Sequence, residues 1–137
     1  MPDDVILNKA AIIERCLKRV REEAAADPDL TDPTHQDAAV LNLQRACQAA
    51  VDNAMRRVRT DGLGVPQDSR DAFRLLTEAG ALPGPLAEQM QKMVGFRNIA
   101  VHAYQTLSLP ILRAVVAHHL GDFETLVAWA LAAPELG

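Results

Sequence analysis

Residues Ala39 to Ala54 read AVLNLQRACQAAVDNA, and this stretch decides the class of fold. Val40, Leu43, Cys47, Ala50 and Ala54 return every three or four positions, and Val58 continues the series. That is the period of one face of an α-helix; a half-buried strand would alternate every second residue. Asn42, Arg45, Asp52, Arg56 and Arg59 fall on the other face. A helix is therefore expected from about His35 to Thr60, its end set by DGLGVPQD.

The same period extends in both directions. Ile6, Ala10, Ile13, Leu17 and Val20 predict a helix from about Asp4 to Ala24. The proline-bearing ADPDLTDPT, Ala26 to Thr34, separates the two. A short helix is expected after Ser69, read as its cap, through Phe73 and Leu76 to Gly80. Leu86 to Tyr104 predicts a fourth helix. Ser108-Leu109-Pro110 opens a last segment to Leu131, with a bend or restart at Gly121. No strand-like alternation, repeat or linker intervenes. The reading is a single all-α domain over residues 1–137, an up-and-down helical bundle of four to six helices.

Composition agrees. The chain is 49% hydrophobic, 23% charged and 4% aromatic over 137 residues, enough for a core of its own. Its net charge of −4 gives no bulk attraction for nucleic acid, so a polyanion would need a local basic site. Arg56-Arg57-Val58-Arg59 reads either as such a patch or as the solvated end of a helix. Cys16 and Cys47 fit apolar stripes and form no CxxC pair, as suits core residues of a reducing cytosol. No leader is recognised, and the longest apolar run, Leu126 to Pro134, is far short of the ~20 residues a membrane helix needs. A cytoplasmic protein is expected. Adjacent histidines diverge on a helix, so His118-His119 is read as a helix-end cap and no metal site is assigned. His35, beside a helix start, is expected to be exposed.

The chemistry concentrates in Met93-Val-Gly-Phe-Arg-Asn-Ile-Ala-Val-His-Ala-Tyr104. On one helix, Leu86, Met90, Met93, Arg97, Val101 and Tyr104 share a stripe, and Asn98 and His102 lie beside it, one turn apart. Phe96, Ile99, Ala100 and Ala103 fill the remaining side, so the segment is expected to be buried. A buried guanidinium without a partner costs several kcal/mol. A carboxylate from another helix could satisfy Arg97. So could a dimer interface, or a wet cleft that accepts an anion.

Arg97-Asn98-x-x-x-His102-x-Tyr104 resembles the arginine–histidine signature of HEPN-domain proteins, and the tyrosine two residues past the histidine is similar to that of the HepT-like ribonuclease toxins. The resemblance extends through Ala39–Ala54, GVPQDSRDAF (Gly64 to Phe73) and HHLGDFETL (His118 to Leu126). It implies a HEPN-like bundle and a metal-independent endoribonuclease toxin of a toxin–antitoxin pair, acting on RNA as a homodimer and needing no cofactor. Arg97 and His102 of both subunits would be catalytic in one cleft, and Asn98 would support them by orienting the imidazole or binding a phosphate oxygen. The implied partner is a minimal nucleotidyltransferase antitoxin that neutralises the toxin by AMPylation of Tyr104. Ala103 sits where other members often carry a polar or small residue. The alternative is a non-catalytic HEPN subunit that binds a nucleotide or scaffolds a nucleotidyltransferase.

Overall fold

The computed structural model describes residues 3–132. Six α-helices follow in order: α1 (Asp4–Ala26), α2 (Pro33–Thr60), α3 (Ser69–Glu78), α4 (Gly84–His102), α5 (Leu109–His118) and α6 (Leu120–Ala132). A 3-10 turn, Tyr104–Thr106, links α4 to α5, and the described residues contain no strand. The last segment is thus two helices, with the break at His119 rather than Gly121. Pro134, the end of the apolar run, lies outside the described residues.

The caps explain the boundaries. Asp3 accepts the Ile6 N–H at 3.0 Å and starts α1. Asp32 accepts the Thr34 N–H at 2.8 Å, and Pro33 stands in the first turn of α2, where its missing N–H costs nothing. The helix therefore begins two residues ahead of the expected His35. Asp68, not Ser69, caps α3 through the Asp71 N–H at 2.8 Å; both residue types can cap, and the carboxylate is the one that reaches. Gly80 ends α3 in the left-handed region, at φ +73°. Ser108 caps α5 as expected.

The two long helices form an antiparallel pair, and three ion pairs fix its register. Arg56 meets Asp3 at 2.8 Å, Lys9 meets Asp52 at 3.2 Å and His35 meets Glu23. As the residue number falls on one helix, it rises on the other. Between them the stripes read from the sequence close: Ile13, Leu17 and Val20 against Val40, Leu43 and Ala54, all at most 1% exposed. Phe73 and Leu76 of α3, Met90 of α4, Leu112 of α5, and Phe123 and Leu126 of α6 complete one core. Each such side chain contributes about 1.5–3 kcal/mol on burial. α4 packs on α2 and α3, and α6 lies on α1 and α4. Trp129 of α6 donates its indole N–H to the Ala81 carbonyl at 2.7 Å, tying the last helix to the turn before α4.

Candidate functional site: the end of helix α4

Two sequence expectations fail along α4. The first is burial. Met90, Met93, Phe96 and Ala100 are buried, but Arg97 and Asn98 are only half-buried, and Ile99, Val101, His102, Ala103 and Tyr104 are exposed. The helix end outruns the cover that α2 and α3 supply, so its apolar character is left on the surface of the protomer. Ile99 and Val101 are 42% and 43% exposed. A groove of about 430 Å³ continues this face between α4 and α5, floored by Met93, Phe96 and Val115 and edged by Ile111.

The second is the length of the helix. The α-helix stops at His102. Ala103 leaves helical geometry at φ −145°, ψ 43°, although its N–H still reaches the Ile99 carbonyl at 2.8 Å. Both the N–H and the hydroxyl of Thr106 then bond the Ala103 carbonyl, closing a tight turn in place of another helical one. Tyr104 therefore stands in the 3-10 turn and does not extend the Arg97 stripe. This turn lets the phenol swing onto α2, where its hydroxyl donates to Asp37.

The charge of Arg97 acts on the buried Cys47 thiol of α2 and opposes the upward shift that burial gives it. Among the described residues no carboxylate pairs with it; its Nη1 donates to Asn98 Oδ1 at 2.9 Å. Asn98 was expected to orient the imidazole or hold a phosphate oxygen. In this structure its carbonyl oxygen accepts from the neighbouring guanidinium, which has further N–H donors for another acceptor. His102 occupies the last turn of α4, exposed, with no hydrogen bond to the described residues. Five residues along a regular helix separate Arg97 from His102 by about 140°. The two side chains therefore diverge within one protomer.

Tyr104 lies beside a cavity of about 330 Å³, lined also by Gln36, Gln105, Leu107, Ser108, Leu109 and Leu112. Desolvation and the Asp37 carboxylate push its phenol up to about 12, because both disfavour the phenolate. Asp37 is the residue that sequence reading missed. It sits 67 positions from Tyr104, and an acid in the first turns of a helix is ordinary.

Other candidates are accounted for structurally. The Arg56–Arg59 patch does not form: Arg56 pairs with Asp3, and Arg57 is buried against Asp61 at 2.7 Å. His35, expected to be exposed, is half-buried because Glu23 draws it inward. His119 Nδ1 reaches Asp122 at 3.0 Å across the α5–α6 break. Cys16 and Cys47 are free and buried as read from the sequence, and burial pushes the Cys47 thiol up to about 12. Among the described residues no group of His, Cys, Asp and Glu is arranged to hold a metal, and no helix is long and apolar enough to cross a membrane.

The family model "Ribonuclease HepT-like" matches residues 6–128. The chain belongs to the HepT-like family. A curated relative, the mRNA nuclease HepT of Shewanella oneidensis, is 47% identical over 126 residues, 91% of this HepT-like chain and 95% of the relative. The solved tri-AMPylated Shewanella oneidensis HEPN toxin in complex with MNT antitoxin superposes with a TM-score of 0.90 at 46% identity, covering 95% of this chain and 98% of that one. A toxin–antitoxin structure with AMP-PNP also gives 0.90, at 45% identity, over 95% and 99% of the two chains. The HEPN-like all-α fold read from the sequence thus stands.

Proposed function

We propose that this HepT-like chain is an endoribonuclease toxin that cleaves RNA without a metal ion, at a cleft between two copies of itself. A minimal nucleotidyltransferase antitoxin silences it by AMPylation of Tyr104. The observation that carries the reading is Arg97. It is half-buried, steadied by Asn98, and no carboxylate of the described residues neutralises it, so its fork is available to an external anion. The relative named an mRNA nuclease and the AMPylated toxin bound to its antitoxin support the choice of RNA as the anion and of AMP as the block.

RNA carries its own nucleophile, the 2′-hydroxyl. His102 takes its proton, the 2′-oxygen bonds to phosphorus, and the bond to the 5′-oxygen breaks. The same imidazole, now protonated, returns a proton to that leaving oxygen. Imidazole suits both steps because it titrates near neutrality. Arg97 holds the extra negative charge of the crowded phosphorane through two N–H donors. The divergence of Arg97 and His102 on one helix argues against a site within one protomer; a two-fold axis beside α4 would let the fork of one copy face the imidazole of the other. The exposed Ile99, Val101 and Ile111 supply an apolar surface for that contact.

The test is RNA cleavage in excess EDTA beside a His102→Ala variant. Cleavage that survives EDTA and disappears in the variant is the expected result. No cleavage, with tight nucleotide binding, would favour a non-catalytic subunit. Expression toxicity relieved by His102→Ala points the same way as cleavage.

A further inference from the structure

We infer that Asp37 is the proton acceptor for Tyr104 when the phenol takes an adenylyl group, so that the toxin supplies the base for its own silencing. The inference rests on the control reading above and deepens it.

The geometry is specific. The Tyr104 hydroxyl donates to Asp37 Oδ1, so the proton that must leave already lies on the line to a carboxylate. Asp37 is exposed in the first turns of α2, and Tyr104 is exposed on the turn after α4, so a docking enzyme can reach both. The cavity of about 330 Å³ beside the phenol gives room for a nucleotide, with Gln36 and Ser108 as polar groups and Leu109 and Leu112 as an apolar wall. The need for a base is chemical. A tyrosine phenol is almost wholly protonated at neutral pH, so the proton has to be taken as the new bond forms.

In the step, the proton of Tyr104 passes to Asp37. The phenol oxygen bonds to the α-phosphorus of ATP held by the nucleotidyltransferase. The bond from that phosphorus to the bridging oxygen breaks, and pyrophosphate leaves with the electron pair. Asp37 then loses its proton to solvent.

Asp37 could instead only suppress the phenolate through its charge, and the two roles predict opposite signs. The experiment follows initial rates of labelled AMP incorporation from α-labelled ATP, with a saturating minimal nucleotidyltransferase, into wild type, Asp37→Asn, Asp37→Glu and Tyr104→Phe. Asparagine keeps an oxygen to accept the phenol hydrogen bond but cannot take the proton. The expected result is a ~10²-fold slower Asp37→Asn, recovery to within about tenfold in Asp37→Glu, and no label in Tyr104→Phe. Matching circular dichroism spectra and melting curves separate the effect from misfolding. Incorporation in Asp37→Asn that equals or exceeds wild type overturns the inference alone, as does an Asp37→Glu as slow as Asp37→Asn. A wild-type chain that takes no AMP overturns the control reading, and the inference with it.

Discussion

Arginine 97 and arginine 57 carry the same group and should respond in opposite ways to removal. Arg57 is 4% exposed and its Nε lies 2.7 Å from Asp61, so Arg57→Ala strands a buried carboxylate and should cost about 3 kcal/mol in urea unfolding. Among the described residues Arg97 has no such carboxylate to strand. Arg97→Ala should leave stability within about 0.5 kcal/mol of wild type and lower RNA cleavage ~10²–10³-fold. A large loss of stability in Arg97→Ala would mean that the guanidinium is structural. Tyr104→Phe should cleave RNA nearly as wild type while escaping the antitoxin, since it lacks the oxygen that accepts AMP; continued inhibition by an active nucleotidyltransferase would contradict the control reading. On that reading, AMP on Tyr104 of the wild type would add negative charge and bulk just past the end of α4, and both would oppose RNA. The residue types of the site were legible in the sequence. The Asp37–Tyr104 bond was not, because it depends on a turn that no local pattern announced.

Between elements, the pH response should come from the seam of α1 and α2. Glu23 holds the His35 imidazole above its usual 6.5, chiefly by their hydrogen bond, and His35 in turn holds Glu23 below its usual 4.5. Stability from the raised histidine is complete below 6.5 and fades as pH climbs through its folded value; that from the lowered carboxylate is complete above 4.5 and fades as pH falls through its folded value. The pair therefore contributes most between about pH 4.5 and 6.5. Melting curves at pH 6 and pH 8.5 should show a larger drop for wild type than for His35→Ala, and equal drops would remove the pair from the account. At the start of α5, Ser108 accepts the Ile111 N–H, and Ser108→Ala should cost about 1 kcal/mol. Helix identities followed from apolar spacing because that spacing is what the core reads. Helix ends were less legible, since Asp32 and Asp68 compete with other cap-capable residues nearby. The end of α4 was misjudged for a related reason: nothing in Ala103 marks a stop, and the turn is closed by Thr106, three residues later.

For the whole molecule, the expected burial of Met93–Tyr104 fails in an informative way. The sequence pattern describes a segment that wants cover, and a single protomer leaves Ile99, Val101 and Ile111 open. Sequence periodicity reports that a face is apolar; it cannot say whether the cover is the same chain or another. The proposed second copy would resolve the mismatch and the divergence of Arg97 from His102 together. The most direct test mixes two inactive proteins, Arg97→Ala and His102→Ala, after co-refolding so that hybrid pairs form. In a hybrid, one chain still offers its imidazole and the other its guanidinium. If the site is shared between protomers, RNA cleavage in EDTA returns in the mixture while each parent alone stays silent. A mixture as inactive as its parents, with hybrid pairs demonstrated by mass, would contradict the shared cleft.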